Sequence, residues 1–153
     1  MVETSDQWIT ERTGIKNRFL VGPGETCSDL GARAALDACQ KAGVDPADIE
    51  LIVFATITPD MMLPATACLV QHKIGATRAW GFDLSIACSG FLYALQVGVQ
   101  FILSGCHKNV LVIGMDVMSS IVDYQDRQTC IIFGDGGGAV LLQPSESASD
   151  GCF

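Results

Sequence analysis

The sequence predicts an α/β fold, an open sheet with helices on each side, and two observations predict it. Short charge-free runs rich in β-branched residues alternate along the chain with longer segments of helical periodicity. The runs are apolar at consecutive positions, as in strands that are buried on both faces of a sheet. With 153 residues, 49% of them hydrophobic, the chain can bury one sizeable core. A single layered α/β unit is therefore expected.

The helices are predicted from capping residues and from periodicity. Two of them begin at a polar cap and end at a glycine: Ser5 or Asp6 through Arg12 to Gly14, and Ser28 to Gly43. A third is predicted from Pro64 to about Lys73, because proline is favoured in the first helical turn. A fourth follows Cys88 and ends near Gly105, and the run TCIIFG (129–134) is predicted as a short helix.

Four strands are predicted between these helices, at residues 51–57, 79–86, 109–118 and 136–143. The first and third are almost wholly apolar, which is typical of strands inside an α/β sheet. Ligands of such sheets gather at the carboxyl ends of the strands. The residues that follow the strands are therefore the first candidates for function.

The charge and the hydropathy exclude two classes of partner. Nine basic and seventeen acidic residues give a net charge of −8, which argues against binding to nucleic acid or to anionic membranes. The segment from Leu84 to Cys106 lacks charged residues and is long enough to span a bilayer. However, Gln96 and Gln100 give it a polar stripe that is more typical of a core helix than of a lipid-facing one. No membrane contact is expected.

The seven cysteines show neither a disulfide framework nor a metal motif. They are widely spaced, and no C-x-x-C pair indicates a zinc site or a redox dithiol. No signal-peptide pattern opens the sequence. We therefore expect a reduced, cytoplasmic protein without a metal, in which most cysteines are small buried hydrophobic residues.

Cys88, in the stretch SIACSGF (85–91), is the exception because it lies between a predicted strand and a predicted helix. The start of a helix stabilises a thiolate through free N–H groups and the positive end of the helix dipole. Ala87, Ser89 and Gly90 are small, so a substrate carbonyl could reach the sulfur, and the Cys88 N–H could help to bind an oxyanion. Cys88 is thus a candidate nucleophile; the alternative is a structural cysteine.

The usual partners of a catalytic cysteine are not evident in the sequence. The chain has two histidines, His72 and His107, and each ends or follows a predicted helix. A solvated histidine is common there, because its positive form interacts favourably with the negative end of the helix dipole. Neither is predicted to be the base. The sequence supplies a nucleophile without its base.

The glycine-rich run FGDGGGA (133–139) precedes a strand, whereas a phosphate-binding loop connects a strand to a helix. We therefore expect its glycines, 136–138, to let the backbone pass close to another segment. Asp135 is expected to brace the turn and not to bind a metal.

Four stretches, taken together and in order, carry a family resemblance: TSDQWITERTGIKNR, LIVFATITPD, IACSGF and DRQTCIIFGDGGGAV. In them the sequence resembles β-ketoacyl-acyl-carrier-protein synthase III of the thiolase superfamily, over nearly the whole chain. The resemblance implies a thiolase-like N-terminal half, with three α/β/α layers and a mixed, mostly parallel sheet.

The resemblance also implies a reaction. Cys88 would take an acyl group, expected to come from acetyl-CoA, and pass it to a carbanion formed by decarboxylation of malonyl-acyl-carrier protein. This condensation initiates fatty-acid synthesis and needs no metal or redox cofactor. Two alternatives stay open: a similar condensing enzyme of secondary metabolism, and a non-catalytic α/β binding module in which Cys88 is structural.

Five further residues acquire roles from the resemblance alone. Trp8 and Arg127 match the residues that stack on the two faces of the CoA adenine, and Thr4 and Arg12 match residues that contact the nucleotide. Leu63 matches a residue that reaches across a homodimer interface to the acyl pocket of the partner subunit. Arginine and tryptophan planes both stack well on a base.

The resemblance implies, finally, which part of the family's chain is matched. Residues 1–144 are expected to form the N-terminal domain without its first strand, and residues 145–153 to begin a linker. The C-terminal domain, which carries the family's catalytic His and Asn, is expected to lie outside this sequence. The chain alone is expected to be inactive in condensation, and the complete enzyme to be a homodimer.

Overall fold

The computed structural model describes residues 2–145 and residue 147. Within them the chain forms helices α1 to α4: Asp6–Thr13, Cys27–Ala42, Thr66–Ile74 and Gly90–Leu103. It also forms strands β1 to β4: Leu51–Ala55, Trp80–Leu84, Val110–Val117 and Asp135–Leu142. The predicted strands are thus found within two residues of their expected ends. None of the helices in the described part of the chain is long and apolar enough to cross a membrane.

The strands form one sheet in the order β2-β1-β3-β4. β1 pairs in parallel with β2 and with β3, and β4 pairs antiparallel with β3. β1 occupies the centre, and all five of its residues are buried. The expected mixed, mostly parallel α/β sheet is confirmed.

Helices cover both faces of this sheet. The side chains of β1 alternate between the faces, and all of them are apolar, so each face presents an apolar surface that a helix layer buries. Ile52 and Phe54 point to the face covered by α2 and α3, where they pack in one apolar cluster with residues such as Ala35 and Val70. Leu51, Val53 and Ala55 point to the opposite face and pack against α4. The protein therefore has three layers, as expected.

The caps of the first two helices show one prediction confirmed and one wrong. The Ser5 hydroxyl accepts a hydrogen bond from the Trp8 N–H, and α1 ends at Gly14 with φ +71°. α2 is capped by Thr26 and not by Ser28, because Thr26 and Asp29 form a reciprocal capping box. Ser28 is fully buried and donates both its N–H and its hydroxyl to Asp60.

β1 and α3 are each shorter than predicted, and side-chain carboxylates account for both differences. β1 ends at Ala55 and not at residue 57, because the Ile57 N–H donates to the Asp116 carboxylate instead of to a strand. α3 begins at Thr66 and not at Pro64. The Thr66 and Ala67 N–H groups donate to the Asp83 carboxylate on β2, which caps the helix from outside.

The short helix predicted at residues 129–134 is absent, and turns occupy this segment. The carboxylates of Asp123 and Asp126 accept hydrogen bonds from the backbone N–H groups two residues further on. Such local bonds hold the residues before the segment in turns, and within the segment the Ile132 and Phe133 N–H groups both donate to the Thr129 carbonyl, which closes a turn. In addition, the Ile131 carbonyl accepts a hydrogen bond from Arg18. The predicted linker at residues 145–153 lies outside the described residues except for Ser145 and Ser147.

The Asp29 capping box makes the stability of the fold depend on pH. The Lys73 ammonium first, and then the Thr26 N–H and hydroxyl, lower the pKa of Asp29 to about 2. A carboxylate with a lowered pKa stabilises the fold above its unfolded pKa, and this contribution is lost as the pH falls through the folded pKa. The stabilisation contributed by Asp29 is therefore lost over a pH window from about pH 5 down to about pH 2.

We expect Asp29→Asn to lower the free energy of unfolding at pH 7, and the difference from the unsubstituted chain to shrink across this window. Pulse proteolysis in urea at several pH values measures it. Asp37→Asn is the matched control, since Asp37 forms an exposed ion pair with Lys41 on the same helix and is expected to matter little. A difference for Asp29→Asn that stays constant down to pH 2 would contradict the linkage.

Candidate active site

Cys88 lies at the carboxyl edge of the sheet, in a short 3-10 turn (Ala87–Ser89) between the end of β2 and the start of α4. α4 starts against the end of β1, because a Cβ atom on Gly90 would lie 3.1 Å from the Cβ atom of Ala55. Ala87, Cys88 and Ser89 are all exposed. The predicted junction of strand, thiol and helix is confirmed, with one turn of 3-10 helix inserted before the α-helix.

The backbone of this turn is strained at Ala87, which has φ +56° although it carries a side chain. Non-glycine residues rarely adopt this left-handed region, and when they do they concentrate at functional sites. A larger or β-branched residue at this position would raise the strain further. The turn before Cys88 therefore has a defined conformation that its sequence does not favour on its own.

The other described cysteines differ from Cys88 in burial. Burial raises the pKa of Cys27 to about 11 and also raises the pKa of Cys39. Cys68 and Cys130 are half-buried, and Cys106 is exposed beyond the opposite end of α4. The expectation that most cysteines are buried was thus wrong, since only two of these six are buried. Burial disfavours the thiolate at Cys27 and Cys39, whereas the Cys88 side chain is exposed.

The two histidines are placed away from Cys88. His72 is exposed in the last turn of α3, as predicted. His107 is not solvated as predicted: its Nε2 atom accepts a hydrogen bond from Trp80 Nε1 at 3.0 Å, and its ring packs edge-on against Phe101. Trp80 begins β2, whereas Cys88 follows the end of that strand. Within the described residues no three His, Cys, Asp or Glu side chains form a group that could hold a metal ion.

Three of the four predicted nucleotide contacts form one cluster. The guanidinium carbon of Arg12 lies 4.2 Å from the centroid of the Trp8 ring, and that of Arg127 lies 4.7 Å from it. Arg127 also donates a hydrogen bond to the Glu3 carbonyl, which joins the 121–134 turns to the start of the chain. Thr4 is exposed and precedes the Ser5 cap of α1. The structure thus brings a planar ring and two cations together.

Leu63 lies in the loop between β1 and α3 and is 84% exposed. Its neighbours Met61 and Met62 are 48% and 93% exposed. We call these three residues the apolar tip. Three consecutive exposed hydrophobic side chains on one loop are typical of a contact surface.

The glycines at 136–138 were predicted to let the backbone pass close to another segment, and this prediction is confirmed at one of the three. A Cβ atom on Gly137 would collide with the Gly114 carbonyl oxygen and lie 2.6 Å from Met115 Cα, whereas one on Gly136 or Gly138 would meet nothing within 4 Å. Only Gly137 is therefore required by close approach of the backbone.

Asp135 braces this segment, as predicted. Its carboxylate accepts hydrogen bonds from the Ser119 N–H and hydroxyl and from the Val21 N–H. Burial raises the pKa of Asp135, but the hydrogen bonds from Ser119 and Val21 outweigh it, so the pKa lies below its ordinary value.

Sequence reasoning missed the carboxylates that organise the loops at this edge of the sheet. Asp83 on β2 holds the start of α3, and Asp60 holds Ser28 on α2. Asp116 on β3 holds the segment that follows β1 through Thr56, Ile57 and Thr58. The available signal was an aspartate near the carboxyl end of β2 and of β3 and another in the loop after β1, in a sequence whose loops are rich in hydroxyl and amide donors.

Comparisons with known proteins agree on one family. The model of the family 3-oxoacyl-[acyl-carrier-protein (ACP)] synthase III matches residues 82–152. The β-ketoacyl-[acyl-carrier-protein] synthase III of Koribacter versatilis is 59% identical over 150 residues, which are 98% of this chain and 45% of that protein. The chain thus spans about half the length of the curated relatives it matches.

Solved structures match over nearly the whole of this chain and over about half of their own length. The crystal structure of 3-oxoacyl-[acyl-carrier-protein] synthase III from Aquifex aeolicus superimposes with a TM-score of 0.91 at 49% identity, covering 95% of this chain and 47% of that chain. The priming β-ketosynthase of the R1128 polyketide pathway also has a TM-score of 0.91, at 39% identity, covering 95% of this chain and 43% of that one.

Proposed function

This chain belongs to the 3-oxoacyl-[acyl-carrier-protein] synthase III family, and from that premise we propose that it carries the acyl-accepting part of a condensing enzyme. The observation that carries the proposal is Cys88, an exposed thiol in a strained turn between a strand and a helix. Its substrates are proposed to be an acyl-CoA, first of all acetyl-CoA, and malonyl-acyl-carrier protein. The reaction extends the acyl group by two carbons, and its product is the first intermediate of a fatty acid.

The chemistry assigned to Cys88 has two steps. The thiolate attacks the acyl-CoA carbonyl, the C–S bond to CoA breaks, and an acyl-Cys88 thioester forms with release of CoA as its thiolate. Decarboxylation of the malonyl group then gives a carbanion that attacks this thioester, and Cys88 is released as thiolate. The N-terminal end of α4 favours negative charge on the sulfur, and the Cys88 N–H is available to the oxyanion of each tetrahedral intermediate.

The Trp8 cluster is proposed as the site for the adenine of CoA, with Thr4 and Arg12 at the nucleotide end. A base stacked between Trp8 and Arg127 needs about 7 Å between the two groups, twice an ordinary stacking contact. The present distance of 4.7 Å leaves no room for it. We therefore infer that adenine displaces the Arg127 guanidinium from the Trp8 ring when CoA binds.

The remaining parts of the enzyme are proposed from the family. Residues 1–144 are assigned to an N-terminal thiolase-like domain, and the catalytic His and Asn are assigned to a region outside the matched residues. Leu63 is assigned to the acyl pocket at a homodimer interface. The complete enzyme is proposed to be cytoplasmic and to work without a metal or redox cofactor.

A second candidate function is priming of a polyketide with a different acyl group. The similarity to the R1128 priming β-ketosynthase favours it, because this structure superimposes as well as the Aquifex aeolicus enzyme does. The two candidates differ in the acyl-CoA that is preferred. A profile of condensation rate against acyl chain length and branching distinguishes them.

The proposal is tested in a chimera in which this chain replaces the matching region of the Koribacter versatilis relative, called here the Koribacter chimera. Incubation with acetyl-CoA is expected to place an acetyl group on Cys88, detected by peptide mass spectrometry, and addition of malonyl-acyl-carrier protein is expected to give the condensed product. The isolated chain is expected to show slow acylation of Cys88 without condensation. Acylation at another cysteine would contradict the assignment.

Trp8→Ala and Arg127→Ala are expected to weaken the use of acetyl-CoA by about 1–3 kcal/mol each, which raises KM, because each removes one stacking face. Acylation by an acetyl thioester of a short pantetheine analogue, which lacks the nucleotide, is expected to stay unchanged. Steady-state kinetics of the Koribacter chimera with the two donors measures both effects. Arg78→Ala is the control, since Arg78 pairs with Asp48 and Glu50 before β2 begins. Unchanged KM values for acetyl-CoA in both variants would count against the adenine site.

A further inference from the structure

The loop between β1 and α3 is anchored on both sides of its apolar tip. On the β1 side, one carboxylate oxygen, Oδ1 of Asp116, accepts three hydrogen bonds: from the Thr56 hydroxyl at 2.9 Å, the Ile57 N–H at 2.8 Å and the Thr58 hydroxyl at 3.0 Å. Thr56 and Thr58 are buried, so these donors have little access to water. Asp116 itself belongs to β3, which is part of the rigid sheet.

A second carboxylate anchors the loop to the helices. Asp60 accepts the Ser28 N–H at 2.8 Å and the Ser28 hydroxyl at 2.5 Å, and Lys73 donates to the same Ser28 oxygen at 2.6 Å. Beyond the tip, Asp83 fixes the Thr66 and Ala67 N–H groups at the start of α3.

These anchors explain why the apolar tip remains exposed. Thr56, Ile57 and Thr58 are fixed to β3, Asp60 is fixed to α2, and Thr66 is fixed to β2, so the apolar tip lies between fixed residues on both sides. The fixed ends restrict the conformations that are open to the tip, and its side chains point away from the core. Met62 and Leu63 are accordingly 93% and 84% exposed.

We propose that Asp116 is a positioning residue for acyl-group selection, acting through the loop that presents Leu63. This inference rests on the function proposed above, in which Leu63 borders the acyl pocket. Asp116 does not touch the substrate. It sets the position from which the tip reaches the pocket, and thereby the length of acyl group that the pocket accepts.

A carboxylate suits this task better than a smaller acceptor. Three donors converge on one oxygen of Asp116. Removal of that oxygen deprives two hydroxyls and one amide N–H of this acceptor in a site with little access to water, which is costly. Asparagine keeps a carbonyl oxygen at the same reach, whereas alanine keeps none. The pair of variants Asp116→Ala and Asp116→Asn therefore separates the acceptor from the rest of the side chain.

The first measurement is the selectivity of the Koribacter chimera, taken as the ratio of kcat/KM for acetyl-CoA to that for hexanoyl-CoA. Asp116→Ala is expected to change this ratio by about tenfold, since small displacements of pocket residues have effects of this size. Asp116→Asn is expected to keep it within about twofold. Asp60→Ala, which frees the loop at its second anchor, is expected to move the ratio in the same direction as Asp116→Ala and serves if the latter does not fold.

The second measurement is amide hydrogen exchange of the full 153-residue chain, which does not depend on activity. Asp116→Ala is expected to accelerate exchange at Ile57 by about tenfold or more relative to β1. Asp37→Ala, an exposed aspartate on α2 paired with Lys41, is the control for both measurements and is expected to change neither.

The outcomes separate the two levels of the argument. Faster exchange at Ile57 with an unchanged selectivity ratio would overturn the role in selection, and unchanged exchange would overturn the anchoring itself. A ratio altered as much by Asp116→Asn as by Asp116→Ala would also overturn the acceptor role. If the unsubstituted chimera condenses none of the acyl-CoA donors, the proposed function fails and the selection role fails with it, while the exchange data still decide the anchoring.

Discussion

In the Koribacter chimera, Cys88→Ser is expected to lower both acyl transfer from acetyl-CoA and condensation by about 10³-fold or more. A serine hydroxyl is uncharged at neutral pH, and neither described histidine lies near this turn to remove its proton. The substitution changes one atom, so the turn, the start of α4 and the exposure of position 88 should persist. Stopped-flow release of CoA measures acyl transfer, and product analysis measures condensation.

The matched control is Cys106→Ser, because Cys106 is also exposed but follows the opposite end of α4. It is expected to leave both rates unchanged. Retention of condensation in Cys88→Ser, or an equal loss in Cys106→Ser, would show that Cys88 is not the nucleophile.

Gly137→Ala is expected to destabilise the fold by about 3 kcal/mol or more, the largest effect on stability that we predict. The added methyl group would collide with the Gly114 carbonyl oxygen and with the Met115 backbone and sulfur. The first two of these are backbone atoms in the neighbouring strand, so a rotamer change cannot make room. β3 and β4 would have to separate, at the expense of their antiparallel pairing.

Gly136→Ala and Gly138→Ala are the controls, since a Cβ atom at either position meets nothing within 4 Å. They are expected to be neutral or to stabilise slightly, because alanine restricts the unfolded chain. Urea unfolding of the three variants tests the difference. Equal stability of all three would mean that β4 does not lie against β3 as described.

The strands were predictable because burial imposes a local pattern. Leu51 to Ala55 lie between two layers of helix, and a strand in that position must be apolar at every residue. The ends of α1 and α2 were predictable for a similar reason, since Gly14 and Gly43 adopt the positive φ that glycine favours. The position of Cys88 followed from the same patterns, because the apolar run of a strand ends just before it and the helical periodicity begins just after it.

The remaining details depend on residues that are distant in sequence. Thr26 and Ser28 are both suitable caps locally, but Ser28 is engaged by Asp60, and Thr26 forms the capping box with Asp29. The start of α3 is fixed by Asp83 from β2 and not by Pro64. The contact between Trp8 and Arg127 joins residues that are far apart in sequence, and without the family resemblance each residue would have passed for an ordinary surface group.

The central place of β1 has a consequence for biosynthesis. Its partners, β2 and β3, both follow it in the chain, so the nascent polypeptide carries the strand LIVFA before either neighbour exists. At about 5–20 residues per second, the ribosome needs on the order of seconds to supply Val110–Val117 after Ala55. During that interval five side chains that are wholly buried in the finished fold face water or a chaperone. Slower translation beyond β1 would lengthen this exposure, and the yield of folded protein should fall with it.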